Sequence, residues 1–212
     1  MLALPGVPSA VRYTALLPPN PAASPHLITY EFPSLSYTTN PSFTAVANTP
    51  PPQPLVDRIY AHAAFDIRFY AELPAPAPAG PLPSSPADPA AKQNLALASI
   101  ALDPVAGSEA EFLLWFAKGL AEDLGGVRGF VGLRRFEYVS GVLMERNAVT
   151  APARPGYLVL VKFEQAEAGE EGVRGQVQEL VAKSGLATAD VGWFGVKRVW
   201  REGDVEKLGE AP

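Results

Sequence analysis

The sequence predicts an α+β fold built from two copies of one supersecondary unit, the first shorter than the second. Three pairs of short stretches recur in the same order along the chain: 5–13 with 128–136, 30–32 with 161–163, and 68–72 with 198–202. The first pair aligns three residues with counterparts: Gly6 with Gly129, Arg12 with Arg135, and Tyr13 with Phe136. Such ordered self-similarity indicates an internal repeat.

The shorter copy, residues 1–73, predicts three strands and one short helix. Strand-favouring residues cover 11–17 and 26–32, and apolar and polar residues alternate over 65–73. Asn40 followed by Pro41 is typical of a helix start. The prolines at 50–52 remove backbone donors, so the helix must end before them. This copy therefore reads β-β-α-β.

A proline-rich segment, residues 74–91, separates the two copies. It holds seven prolines among alanine, serine and glycine, and proline cannot donate to a strand ladder. The composition predicts a semi-extended linker over the surface. A docking site for a proline-binding domain is the alternative, but no basic flank supports it.

The longer copy, residues 92–204, predicts strands at 95–102, 130–139, 156–163 and 191–201, with a loop at 141–155 and a tail at 205–212. One helix is expected to begin at Ser108 in a capping box and to end at the glycine pair 125–126, because glycine can adopt a left-handed cap. Apolar residues at four-residue spacing give this helix one buried face: Phe112, Phe116, Leu120 and Leu124. A second helix is expected over 170–183, with Gly185 at its end.

The predicted order in the longer copy is β-α-β-β-α-β, which is the ferredoxin-like arrangement of an antiparallel sheet with two helices on one face. The shorter copy lacks the first strand and helix of that order. Since the first strand is central in such a sheet, its loss would leave backbone groups unpaired. We expect either an N-terminal truncation, which we favour, or another segment that fills the place.

Composition excludes several classes of function. The net charge of −5 argues against a nucleic-acid groove, and the absence of cysteine excludes disulfides, thiolate catalysis and zinc–thiolate sites. No apolar run reaches the roughly 20 residues that span a bilayer, and the N-terminus does not read as a signal peptide. We therefore expect a cytoplasmic protein with no nucleic-acid or membrane partner.

The motifs resemble those of the dimeric α/β-barrel superfamily, and above all the fungal EthD-like tandem proteins. The resemblance lies in an acidic helix with an aromatic pair (106–116), a glycine-aromatic turn (128–130) and an Arg-aromatic strand (134–136), with a partial copy at 5–13. It implies two sheets that face each other in a pseudo-dimeric barrel, as a monomer or a homodimer. It also implies a small apolar or aromatic ligand between the sheets and no cofactor.

The chain departs from the family pattern in its first long helix. EthD-like helices usually continue with an acidic-His-x-Pro stretch, whereas residues 117–123 contain neither histidine nor proline. The resemblance implies a cofactor-free enzyme of polyketide or aromatic metabolism, of the cyclase, dehydratase, decarboxylase or monooxygenase type. The missing histidine favours the alternative of a catalytically inactive, ligand-binding or structural member.

Candidate site residues follow from side-chain chemistry and from this resemblance. His62 is the candidate base, since an imidazole titrates near neutrality and related cyclases carry a histidine near this position; a surface histidine is the alternative. Arg12 and Arg135 could hold a substrate oxygen anion or form ion pairs instead. The remaining candidates are aromatic and could line a cavity or pack the core: Tyr13, Tyr30, Tyr70, Trp115, Phe136 and Trp200. No metal-ligand spacing is present.

Overall fold

A computed structural model describes residues 9–16, 25–32, 34–50, 52–74, 95–145, 148–151, 156–164 and 171–201. The proposed linker and tail lie almost wholly outside these residues. The side chains of residues 9, 46, 47 and 198–201 are also not described. The fold class is α+β, as the sequence predicts, with an eight-stranded antiparallel sheet and few helices.

The longer copy forms a four-stranded sheet and two helical regions. Its strands are β4 (Leu95–Pro104), β5 (Phe130–Glu145), β7 (Tyr157–Glu164) and β8 (Ala187–Arg201), with the short β6 (Ala148–Thr150) at the edge of β5. In the sheet they lie in the order β8-β4-β7-β5, all antiparallel. This is the spatial order of a ferredoxin-like unit, with its first strand in the middle.

The helices of the longer copy cover one face of this sheet. The first consists of α3 (Glu109–Leu114), a π-helical segment (Trp115–Gly119) and α4 (Leu120–Gly125); the second is α5 (Glu171–Ser184). The apolar side chains predicted to face inward on both helices are buried: Phe112, Phe116, Leu120, Leu124, Val173, Val177 and Val181. They form one core with alternate residues of β4, β5 and β7.

The shorter copy contributes strands β1 (Ser9–Ala15), β2 (His26–Glu31) and β3 (Ala64–Glu72). Between β2 and β3 lie a 3-10 turn (Leu35–Thr39), helix α1 (Pro41–Asn48), helix α2 (Gln53–Leu55) and a π-helical segment (Val56–Tyr60). A small aromatic cluster packs α1 on the outside of the two strands: Phe32, Tyr37, Phe43 and Phe69.

The two copies share one sheet, in the order β2-β1-β8-β4-β7-β5-β3. The shorter copy adds β1 and β2 beyond β8, and β3 beyond β5. The sheet must curl strongly, because the Arg134 guanidinium on β5 contacts Glu31 on β2, five strands away along this order. The two ends of the sheet therefore approach each other.

Four local expectations are corrected or confirmed. The predicted loop at 141–155 is wrong in part, because β5 continues to Glu145 by pairing with β3, and β6 follows. The Ser108 side chain forms no helix cap; its hydroxyl donates to the carbonyls of Val105 and Leu186 instead. The Asn40 carboxamide does accept from the N–H of Ser42, and Gly185 ends α5 with a φ of 66°.

Gly125 and Gly126 end α4 without the predicted left-handed cap. Gly126 has a φ of −80° and lies in the right-handed helical region. The left-handed glycine of this turn is instead Gly129, with a φ of 77°, just before β5. None of the helices formed by the described residues has the length and apolar character needed to cross a membrane.

Candidate functional site

The sheet has two faces, and the face opposite the helices is the candidate site. Side chains alternate along each strand, so Leu133 and Arg135 on β5 point to the helices and Arg134 and Phe136 point away. We call the side opposite the helices the inner face, because the curled sheet encloses it. Side chains that lie on it from four strands are Tyr13, Thr29, Glu31, Tyr70, Glu72, Arg134, Phe136 and Tyr138.

An ion cluster joins three strands on the inner face. The Arg134 guanidinium donates two hydrogen bonds to the Glu72 carboxylate, at 2.7 and 2.5 Å, and a third to Glu31 Oε1, at 2.5 Å. The hydrogen bonds to Glu72 and then to Glu31 raise the pKa of Arg134 above its ordinary value, although desolvation opposes them. We name Arg134, Glu31 and Glu72 the Arg134 cluster. It holds a permanent cation between two carboxylates.

Two tyrosines flank this cluster as neutral phenols. Burial raises the pKa of Tyr13 above its ordinary 10.0, the hydrogen bond with Thr29 partly opposes this, and Glu31 adds to it. Burial likewise raises the pKa of Tyr70, against a hydrogen bond from Arg68. Both hydroxyls therefore keep their protons near neutral pH and can donate or accept hydrogen bonds.

Aromatic rings surround the cluster along β3 and β5. Tyr70 packs edge-on against Phe136 and Tyr138, with ring centroids 6.5 and 5.8 Å apart. The Arg134 guanidinium carbon lies 5.2 Å from the centre of the Phe136 ring. Further along β3, Arg68 forms a bidentate pair with Asp66. The inner face thus combines flat apolar surfaces with fixed charges.

The inner face is more accessible than the helix-covered face. On the helix side, Val159, Val161 and Phe163 of β7 have no exposed surface. On the inner side, the Arg134 side chain is 22% exposed and that of Glu72 is 48% exposed. Leu158 and Leu160 of β7 are only half-buried. These side chains keep contact with solvent, whereas Leu97 of β4 and Tyr13 of β1 are buried on the same face, at 2% and 8% exposed.

Three of the sequence-derived candidates meet on the inner face: Tyr13, Tyr70 and Phe136. Tyr13 and Phe136 were aligned in the repeat, and they occupy the same face of their strands. Arg12 lies beside Tyr13 but on the opposite face, where it is exposed. Tyr30 also lies on the outer face and is 36% exposed. Neither of these two can contact a ligand held by the Arg134 cluster.

Arg135 lies on the helix-covered face and is buried there. Its guanidinium donates to the carbonyls of Phe116 and Pro74, at 2.6 and 2.5 Å, and lies over the Phe116 ring. Burial lowers the pKa of Arg135. The residue therefore ties the end of the shorter copy to the helix layer of the longer copy and does not face the candidate site.

Trp115 belongs to the same outer layer. Its indole N–H donates to Asp123 Oδ2 at 3.0 Å, and its ring packs against Phe112. The ring lies so close to Gly119 that a Cβ there would come within 2.8 Å of it. Gly119 thus permits the close approach of the Trp115 ring. The tryptophan packs along the helix on the side away from the candidate site.

The remaining candidates are His62 and Trp200. His62 is exposed in the turn before β3, a position that favours the surface alternative; its role as a base stays a prediction. Trp200 lies in β8 opposite Ala10, and its side chain is outside the described residues. The described part of the chain contains no group of three His, Asp or Glu side chains that could hold a metal ion.

Sequence reasoning missed all three members of the Arg134 cluster. Arg134 stands beside Arg135, and strand alternation alone shows that only one of the two can face the helices. The buried neighbour Leu133 then assigns Arg135 to the helix side and Arg134 to the inner side. Glu31 and Glu72 carry no comparable signal, because they are single acidic residues at strand ends.

Comparisons with known proteins support the fold. No family model and no curated protein sequence matches the chain. Among solved structures, an anthrone oxidase-like protein superposes with a TM-score of 0.54 at 11% identity, covering 93% of this chain and 80% of that one. Candidate monooxygenases from Fusobacterium nucleatum and Lactobacillus acidophilus align at 10% and 9% identity, each over 93% of this chain and over 79% and 80% of theirs, with TM-scores of 0.44 and 0.42. The first likeness shows that the chain shares the fold of the anthrone oxidase-like protein.

Proposed function

We propose that this protein binds a small aromatic molecule that carries a hydroxyl group, on the inner face of its sheet. The observation that carries the proposal is the Arg134 cluster, an accessible set of fixed charges among the rings of Tyr70, Phe136 and Tyr138. Small-molecule sites commonly combine apolar and aromatic walls with a few oriented polar groups. The inner face has that composition.

The charge of the Arg134 cluster determines which polar group of a ligand can bind beside it. One guanidinium faces two carboxylates, so the cluster carries a net negative charge. A third carboxylate, supplied by a ligand, would be repelled, whereas a hydroxyl group can donate a hydrogen bond to Glu31 or Glu72. The neutral phenol of Tyr13 can donate to a carbonyl oxygen of the same ligand. Hydroxylated aromatic ketones therefore fit this wall better than aromatic acids.

The test compares two probes that differ by one hydroxyl. 1-Naphthol should bind more tightly than naphthalene, by about tenfold, because the hydroxyl adds a hydrogen bond to a charged acceptor. Fluorescence titration of the purified chain measures both affinities. Glu72→Gln combined with Glu31→Gln should remove most of the difference. Glu137→Gln is the matched control, since Glu137 lies on the outer side of β5 and is exposed. Equal affinity for the two probes in the unaltered protein would refute the proposal.

A second candidate is cofactor-free oxygenation of such a molecule. It is favoured by the shared fold, because the superposed protein is described as anthrone oxidase-like. In an anthrone, a methylene carbon between two aromatic rings loses a proton to a carboxylate such as Glu31 or Glu72, and Arg134 steadies the resulting anion. Dissolved oxygen then converts the methylene to a carbonyl; one oxygen atom is retained and the other leaves as water.

An oxygen electrode tests this candidate with anthrone as the substrate. Enzyme-dependent oxygen uptake that Arg134→Met abolishes and Glu137→Gln preserves would support it. Binding of naphthol without any oxygen uptake would instead support the catalytically inactive, ligand-binding alternative. The exposed position of His62 already favours that alternative over a histidine-based cyclase.

We also propose an oligomeric state and a cellular location for the protein. A single chain would form the barrel as a monomeric pseudo-dimer, or two chains would associate as a homodimer, in the cytoplasm and without a nucleic-acid or membrane partner. Native mass spectrometry of the purified chain reads its oligomeric state and any retained small molecule together. A retained acidic compound in place of a hydroxylated aromatic one would contradict the charge argument.

A further inference from the structure

A single serine interrupts an apolar stretch of a central strand. Residues 95–102 of β4 are all apolar except Ser99. The strand lies in the middle of the sheet, between β8 and β7. A polar group in such a position costs free energy unless it has a hydrogen-bond partner. The surroundings of Ser99 therefore indicate what its hydroxyl can bind.

The Ser99 side chain points to the inner face. Its neighbours Ala98 and Ile100 belong to the core beneath the helices, so strand alternation places Ser99 on the other side of the sheet. The residue is half-buried there. Within the described part of the chain, no group donates to or accepts from its hydroxyl. That hydroxyl is therefore available to a molecule bound on the inner face.

Ser99 lies in the same row of residues as Arg134. Across the strands, Ser99 is opposite Leu160 of β7, and Leu160 is opposite Arg134 of β5. Residues that face each other across neighbouring strands point to the same side of the sheet. The backbones of Ser99 and Arg134 are two strand spacings apart, or about 10 Å. One elongated molecule can therefore contact both residues.

The ring of Phe194 forms a wall beside Ser99. A Cβ at Gly192 would come within 2.7 Å of this ring, so the ring lies over the glycine. Because Gly192 is directly opposite Ser99, the ring stands next to the serine on the β8 side. The half-buried Leu160 lies on the β7 side. In such apolar surroundings a hydrogen bond is electrostatically stronger than it is in water.

We propose that the Ser99 hydroxyl forms a hydrogen bond with a second polar group of the ligand, at the end remote from the Arg134 cluster. This inference rests on the proposed function and adds a requirement to it. The ligand has a polar group at each end of an apolar body that is about 10 Å long. Ser99 can donate to a carbonyl oxygen or accept from a hydroxyl of that ligand. It determines specificity, because a ligand with one polar group leaves its hydroxyl without a partner.

A purely structural role for Ser99 predicts a different result. A serine that is present only because it is small can be replaced by alanine with no change in ligand affinity. Alanine keeps the Cβ and removes only the oxygen, so the packing of β4 against its neighbours stays the same. Ser99→Ala therefore separates a contact with the ligand from a requirement for small size.

Fluorescence titration of the intact chain with two probes tests the proposal. One probe, 4,4′-dihydroxybiphenyl, carries a hydroxyl at each end, and the other, 4-hydroxybiphenyl, carries one. The diol should bind about tenfold more tightly to the unaltered protein, because its second hydroxyl gains a hydrogen bond with Ser99. Ser99→Ala should reduce this advantage to about twofold, which is the statistical factor for a ligand with two equivalent ends. The affinity for 4-hydroxybiphenyl should stay the same.

Ser140→Ala is the matched control. Ser140 is an exposed serine of β5 opposite Phe69, which packs in the aromatic cluster on the outer side, so its replacement should leave the advantage of the diol intact. An advantage of about twofold or less in the unaltered protein would overturn the proposal, and so would an advantage that Ser99→Ala leaves unchanged.

The naphthol comparison distinguishes failure of this inference from failure of the proposed function. If 1-naphthol binds no more tightly than naphthalene, the proposed function is wrong and the role of Ser99 falls with it. If 1-naphthol binds more tightly but the diol has no advantage over 4-hydroxybiphenyl, only the role of Ser99 is wrong.

Discussion

The two copies of the repeat place equivalent residues in very different surroundings. In the longer copy, Val159 and Val161 of β7 lie beside β4 and beneath the helices, and neither has any exposed surface. In the shorter copy, the equivalent Ile28 and Tyr30 of β2 are 47% and 36% exposed. The strands are alike in pattern, so the difference comes from the neighbours that each copy supplies.

An alternating strand does not by itself make a core. An apolar face is buried only when a second layer covers it, and in the longer copy the strand β4 and its following helix provide both a neighbour and a cover. In the shorter copy, α1 covers only the end of β2 near Phe32. Stability should therefore be concentrated in the longer copy.

The largest effect is expected from Phe116→Ala. Phe116 is 2% exposed in the centre of the main core, where it stacks on Phe112 and contacts Tyr157. Truncation should lower the free energy of unfolding by about 3–5 kcal/mol, because a well-packed core collapses only partly around the cavity. Urea denaturation measures this loss. A loss below about 1 kcal/mol would show that the helix layer repacks easily.

Phe43→Ala should cost less than Phe116→Ala. Phe43 is 6% exposed but belongs to a small cluster at the end of the sheet. Neighbouring rings there can close over the space, so the loss should approach the transfer free energy alone, about 1.5–3 kcal/mol. The same urea titration compares the two variants. Equal losses would mean that the two copies unfold around equally rigid cores.

The free energy of unfolding should fall at alkaline pH, in part because Tyr13 on the inner face ionises. Burial raises its pKa in the folded protein, so below its unfolded value of 10.0 the group contributes its full stabilisation. That contribution is lost as the pH rises above 10 and through the folded value. Tyr13→Phe should therefore flatten part of the decline in unfolding free energy above pH 10. An unchanged alkaline profile would show that Tyr13 ionises in the folded protein as it does in the unfolded chain.

The smallest effect is expected from Ile28→Ala, and its matched partner is Val159→Ala. Ile28 is largely exposed, so the loss should stay within about 0.5 kcal/mol. Val159 is fully buried, and its truncation should cost about 2 kcal/mol. Melting temperatures of the two variants give the comparison directly. A large loss at Ile28 would mean that something already covers β2 in the isolated chain.

Much of the fold could be predicted from local sequence patterns. The four-residue spacing from Phe112 to Leu124 predicted one buried helix face, and all four side chains are buried. The repeat aligned Tyr13 with Phe136, and both lie on the inner face. These features could be read because a helix or strand fixes which side chains share a face.

The extension of β5 and the Arg134 cluster could not be predicted in this way. The loop was predicted to begin at Gly141 although residues 142–144 are apolar. This stretch is strand because it pairs with β3, about 70 to 80 residues earlier in the chain. Sequence reasoning selected Arg12 and Arg135 as possible ligand contacts, but both lie on the outer side of the sheet. The inward arginine is Arg134, one position away.

The sequence alone predicted the α+β class, the order of the main strands and helices, and the apolar faces of the two long helices, because these depend on periods of two and 3.6 residues along the chain. Which charges meet depends on how the whole sheet folds. Glu31, Glu72 and Arg134 come from three separate strands and are joined because the sheet curls until its ends approach. Curvature and register arise from the packing of the whole sheet, and no local pattern encodes them.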